Sequence, residues 1–227
     1  MSSQLNTWLE SCEKNVSNAN SVRAIIVPEC VFIIGPSHRL DIGNTCALTS
    51  VSEYETPFYN LKINTNGILN PQILRKDQYS IVPIVVGCLS FEKQEFFGNL
   101  LSSYMLDEKN LFVISSDFCH WGKRFRYQYY NKSDGAIWQS IEKLDHLGLN
   151  AIRSLKPKSF IKYLEEYRNT ICGRRSIGVL LFMIDCIQQK QPFNLELKIL
   201  NYTQSNRCQS MEDSSVSYTA CALVSRE

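Results

Sequence analysis

LFVISSDFCHW, residues 111–121, decides the fold: an apolar, β-branched run of strand length breaks into a polar loop that ends on an imidazole. The same form recurs in CVFIIGPSH (30–38), where the run stops at Gly-Pro and sets His38 just beyond it. SIVPIVVGCL (80–89) and RAIIVP (23–28) are two more such runs. Runs without apolar–polar alternation belong to strands buried on both faces, as in sheets covered by helices. Helical periods lie between and after them, with Phe96, Phe97, Leu100, Leu101 and Tyr104 in 91–106, and Ile137, Ile141, Leu144 and Leu147 in 134–154. Pro157 marks the start of a helix at 158–168, and the continuous stretch GVLLFMI predicts a buried helix at 176–189. A surface helix is expected at 5–14, with strands at 46–51, 195–204 and 216–224, the last closing the sheet. Strands alternating with helices predict an α/β layered architecture, and 227 residues fit one domain.

Composition narrows the function. A net charge of +2, from 24 basic and 22 acidic residues, is too balanced for a nucleic-acid partner. No apolar run reaches the roughly 18 residues a membrane span requires. The first twenty residues carry Glu10 and Glu13 where a secretion signal needs an apolar stretch. Nine cysteines, an odd number without a CxxC pair, suit reduced thiols in the cytosol or nucleus.

With only three histidines, the search for chemistry is short. His38 and His120 both follow strands, and ligands of α/β sheets bind beyond the carboxyl ends of strands. Asp117, three residues before His120, is placed to fix its tautomer. His146, in DHLG, reads as a solvated surface histidine. Cys172 stands at a turn into a helix with Arg174 and Arg175 nearby, a setting that favours a thiolate, although a free cysteine is more often a small core hydrophobe. Cys119 points away from His120 if the backbone is extended. WGKRFRYQYY (121–130) sets Lys123, Arg124 and Arg126 among Trp121, Phe125 and Tyr127, which suits a phosphorylated or carboxylated ligand and equally a solvated loop. GxSxG, GxGxxG and GxxxxGK[ST] are absent, so nothing argues for a hydrolase elbow or a nucleotide cofactor.

GPSH (35–38), SSDFCHWGKRFRYQYY (115–130), NTICGR (169–174) with SIGVLL (176–181), LNYTQSNRC (200–208) and DSSVSYTACALV (213–224) together resemble the Memo family, mediators of ErbB2-driven cell motility. The resemblance runs from about Arg23 to Val224. It implies the fold of class III extradiol ring-cleaving dioxygenases, a central mixed sheet with helices packed on its faces, as a single domain over 1–227. It also implies an intracellular adaptor in receptor tyrosine kinase signalling. Phosphotyrosine peptides, from receptor tails or signalling proteins, would occupy a vestigial active-site pocket with Trp121, Arg124 and Arg126 as ligand-binding residues. The alternative it carries is a redox protein binding iron or copper in the same pocket.

Position by position, His38 and Cys172 look like two of the family's three metal ligands, while His120 and Asp117 match the dioxygenases' catalytic base and its neighbour. The third ligand comes from a Pro-His-Ala-Gly motif, where this chain has Pro28-Glu29-Cys30 and lacks the helix that follows. An acidic-His-Ser segment with its helix is also missing, since Arg75 to Tyr79 runs straight into the strand at 80–89. A complete ring-cleaving iron centre is therefore not expected. Loss of a crossover helix should uncover apolar sheet surface. The remaining alternative is a shortened chain without independent function.

Overall fold

The computed structural model describes residues 30–55, 60–64 and 80–225, so the helix expected at 5–14 and the strand expected at 23–28 lie outside the described residues. In chain order the strands are β1 (Cys30–Pro36), β2 (Cys46–Leu48), β3 (Glu53–Tyr54), β4 (Leu61–Lys62), β5 (Ser80–Val86), β6 (Asn110–Ile114), β7 (His120–Trp121), β8 (Leu195–Gln204) and β9 (Ser215–Ser225). The helices are α1 (Phe91–Met105), α2 (Ile137–Arg153), α3 (Pro157–Tyr167) and α4 (Arg174–Lys190).

The three apolar runs form a parallel core. β1 lies between β5 and β6, with Phe32 opposite both Val82 and Phe112. β2 adds antiparallel to β5, giving a mixed sheet in the order β2-β5-β1-β6. Since β5 and β6 flank β1, the β5–α1–β6 connection crosses over it, as parallel strands demand. The strand expected at 46–51 ends at Leu48, and 111–121 divides into β6 and β7 around a loop.

α4 is the centre of the packing. Its Val179 and Met183 join Leu101 of α1 over Phe32, Ile34, Val82 and Ile84 of the mixed sheet. Its Ile177, Leu181 and Ile184 enter a second core with Ile141, Leu144 and Leu149 of α2, Phe160 and Tyr163 of α3, and Leu197 of β8. A helix between two cores must be apolar all round, which accounts for GVLLFMI. α1 approaches α4 closely, because a Cβ on Gly98 would lie 2.6 Å from the Phe182 Cβ. The buried face of α1 is therefore Gln94, Gly98, Leu101 and Ser102, and the expected stripe is corrected at Phe96 and Leu100, which are exposed. On α2, Leu147 is likewise exposed, while Asp145 occupies the buried face.

Two further expectations are corrected. β9 does not close the central sheet; it pairs antiparallel with β8 and β7 in a separate sheet of order β7-β9-β8, on which α2 packs through β8. Both α1 and α4 contribute to the core on one face of the mixed sheet. On the other, Leu111 and Val113 of β6 are 48% and 42% exposed. Among the described residues, all eight cysteines are free and no helix is long and apolar enough to cross a membrane. Cys30, Cys119, Cys186 and Cys208 are buried, but Cys88 and Cys221 stand on the surface. Burial pushes the Cys46 thiol up to about 11.

Candidate functional site

Beyond the carboxyl end of β6, the loop 115–119 presses against the turn 169–173 that leads into α4. The approach is too close for any side chain at Gly173, where a Cβ would lie 2.6 Å from the Ser115 carbonyl oxygen. The Gly173 N–H donates to Ser116 Oγ at 3.0 Å, and that hydroxyl donates to the Asp117 carbonyl at 2.8 Å. The Asp117 N–H points at Cys172 Sγ, 3.0 Å away.

His120 is held by the same turn. Its N–H donates to Thr170 Oγ1 at 2.8 Å, and the Thr170 hydroxyl returns a bond to the His120 carbonyl at 2.9 Å. Nδ1 faces the carbonyls of Phe118 at 2.9 Å and Thr170 at 3.0 Å. Two acceptors there require Nδ1 to carry a proton, so in the neutral ring Nε2 presents a lone pair. Nε2 lies 3.9 Å from Asp117 Oδ2.

A carboxylate oxygen of Asp117, a ring nitrogen of His120 and the sulfur of Cys172 all fall within 4.8 Å of one another, each residue half-buried. Metal bonds of about 2.0–2.3 Å need donors roughly 3.3–3.8 Å apart, so a closure of about an ångström would complete three bonds. Mixed oxygen, nitrogen and sulfur donors suit a transition ion such as iron, copper or zinc and not calcium or magnesium.

Behind these residues sits Asp145, wholly buried and unremarked in the sequence. The Cys119 N–H and Asn169 Nδ2 donate to its Oδ1 at 3.3 and 3.1 Å, and Tyr202 donates to Oδ2 at 2.9 Å. One carboxylate thus ties the His120 strand to the Cys172 turn. Burial pushes its pKa up, against the opposing pull of donors from Ser217, Asn169, Tyr202 and the Cys119 amide. The signal was there: Ile141, Asp145 and Leu149 follow one another at i, i+4 on an apolar face, where a carboxylate must have partners. Its neighbour His146 is half-buried with its ring 5.1 Å from that of Tyr202, which corrects the solvated reading.

The remaining candidates are dispersed. His38 shares the rim but not the cluster; it is exposed after β1 and lines a separate depression of about 240 Å³ with Asp41 and Cys88. Trp121 is wholly buried, its indole N–H donating to the Tyr129 carbonyl at 2.7 Å, so no face of it is left for a ligand. Lys123 is paired with Glu212. Arg126 is exposed in a left-handed conformation, φ 55°. Arg124 lies 4.4 Å over the ring of Phe125, which sits edge-on to His120 at 5.2 Å, so one ring separates guanidinium from imidazole.

Fold and site define a mixed α/β domain with an Asp–His–Cys cluster at the carboxyl rim of its sheet. The family model described as Memo-like protein matches residues 68–222. The chain is 40% identical over 277 residues to Protein MEMO1 of Homo sapiens and of Mus musculus, covering 99% of this chain and 92% of each relative. It is 34% identical over 272 residues to Protein memo-1 homolog of Caenorhabditis elegans, covering 97% of this chain and 77% of that relative. The chain belongs to the Memo family. An alignment 277 positions long against 227 residues leaves at least 50 positions where this chain has none, in keeping with the missing segments.

Proposed function

We propose that this chain is a Memo-type signalling adaptor of the cytosol or nucleus, with a dioxygenase-like pocket that takes phosphotyrosine peptides from receptor tyrosine kinase tails or signalling proteins. The observation that carries the reading is the stack of Arg124, Phe125 and His120 at the rim of the site. It offers a guanidinium fork for a phosphate and an aromatic wall for a ring. Asp117 and His120 then serve as vestiges of an acid–base pair that now borders a binding surface. A phosphotyrosine peptide is expected to bind at least tenfold more tightly than its plain counterpart, and Arg124→Ala with Arg126→Ala to remove that preference, as roughly 1.5–3 kcal/mol per charged hydrogen bond would dictate. Equal affinity for the two peptides in a calorimetric titration ends this reading.

A second reading is favoured by one specific observation, the convergence of three donors. Iron or copper would be held by Asp117, His120 and Cys172, the ion supplying redox chemistry, while the Nδ1 contacts of His120 keep Nε2 directed for ligation. Calorimetry with iron(II) and copper(I) is expected to show one site whose affinity falls on the order of a hundredfold or more in Cys172→Ser, since even outer partners of a ligand cost about 10–100-fold. His38→Ala should leave it unchanged. Unaltered binding in Cys172→Ser, or a loss in His38→Ala of the same size, would remove this donor set from consideration.

A further inference from the structure

The turn that carries Cys172 also borders a depression of about 460 Å³ between the start of α1, the end of α3 and the start of α4. Three guanidiniums line it, those of Arg168, Arg174 and Arg175, against a single acid, Glu165. None of the three arginines is in an ion pair among the described residues. Arg174 donates only to the Ile171 carbonyl, at 3.0 Å, and Arg175 lies 5.9 Å over the ring of Phe91, another wall of the depression.

Two lining residues have unmet hydrogen bonds. Arg175 Nε, a donor, and Asn169 Oδ1, an acceptor, are both buried without a partner. Asn169 is only 3% exposed, and its amide nitrogen is already committed to Asp145 and Tyr163. Buried polar atoms without partners are rare and mark a place where something else bonds. The volume lies within the roughly 300–1,000 Å³ typical of small-molecule sites.

We propose that this depression is a phosphate-monoester site, with Arg168, Arg174 and Arg175 on the phosphoryl oxygens, Phe91 against the ester's organic part, and Asn169 Oδ1 accepting from an N–H or O–H of the ligand. The charges match. Three guanidiniums and one carboxylate sum to +2, opposite the roughly −1.5 to −2 of a monoester at neutral pH, whereas a carboxylate ligand would leave a cation uncompensated. The amino end of α4 adds its partial positive charge. The ligand is either a second phosphorylated side chain of a peptide already held at the rim, in which case the inference rests on the adaptor reading above, or a free monoester.

Phenyl phosphate titrated into the full chain by calorimetry tests it. In the Arg124→Ala with Arg126→Ala background, where the rim site proposed above cannot contribute, saturable binding is expected and is weakened at least tenfold when Arg168→Gln with Arg175→Gln is added. If the combined variant fails to melt cooperatively, Arg168→Gln alone reads the same site, since Arg168 is exposed at the end of α3. No saturable binding, or binding indifferent to Arg168 and Arg175, overturns the proposal. Displacement of phenyl phosphate by a phosphotyrosine peptide identifies the peptide as the source. Binding that no such peptide displaces supports the pocket as a free-monoester site, and leaves the adaptor reading to the Arg124 and Arg126 titration.

Discussion

Asp145→Ala is expected to lower the unfolding free energy by about 3–5 kcal/mol, read from urea denaturation. The substitution strands three buried donors, the Cys119 N–H, Asn169 Nδ2 and the Tyr202 hydroxyl. Each stranded group costs about 1–3 kcal/mol, but Tyr202 can turn to Ser217 Oγ, already 3.3 Å away, so the sum stays below the maximum. Against a margin of about 5–15 kcal/mol, that is a large share. Asp145→Asn keeps an acceptor oxygen and should cost about 1 kcal/mol.

The same pair of proteins yields a pH signature. Burial holds the folded pKa of Asp145 above its ordinary 3.8, so the native chain binds this proton more readily than the unfolded chain. Its contribution is complete below the unfolded pKa and is lost as pH rises through the folded one. Asn cannot titrate. The stability advantage of wild type over Asp145→Asn should therefore shrink as pH rises above the ordinary carboxyl value of 3.8. A gap that stays constant or widens would show that Asp145 is not the buried, desolvated carboxylate described.

Trp121→Ala is the other large effect, about 3–5 kcal/mol, from the cavity a wholly buried indole leaves. The Tyr129 carbonyl also loses its donor. Trp121 lies in β7, opposite Ser215 of β9, so the loss falls on the seam joining the His120 strand to the second sheet. Thermal unfolding separates this from a ligand-binding role. A binding residue would forfeit peptide affinity with little change in melting temperature, whereas a core residue forfeits the melting temperature itself. The comparison needs a cooperative wild-type transition; without one, the alternative of a shortened chain lacking independent function returns.

What the residues made legible follows from how local each signal was. β1 and β5 are apolar on both faces, and GVLLFMI of α4 is apolar all round, so their burial could be read directly; β6 is just as apolar, yet its second face, Leu111 and Val113, is exposed. The face of α1 could not, because Phe96 and Leu100 have the same helical spacing as Phe97 and Leu101, and Gly98, which admits α4, decided between them. The run 216–224 read as a strand closing the central sheet, and nothing local to it showed that β9 pairs instead with β8 and β7. At the site, strand ends located the rim for His38 and His120 alike. Which imidazole turns inward depends on Thr170, fifty residues away in sequence from His120, and no spacing rule reaches that far. Trp121 was drawn toward a ligand by its basic neighbours, although an indole bonded to a backbone carbonyl is equally a core residue.

Leu111 and Val113 have a bearing on the life of this protein in a cell. They lie on β6, which ends its sheet among the described residues, so greasy side chains and unpaired backbone sit on one margin. Such a margin is what holdases grip and what neighbouring copies adhere to, and both processes grow with crowding of like chains. Association of one copy with another through this margin would therefore steepen with concentration.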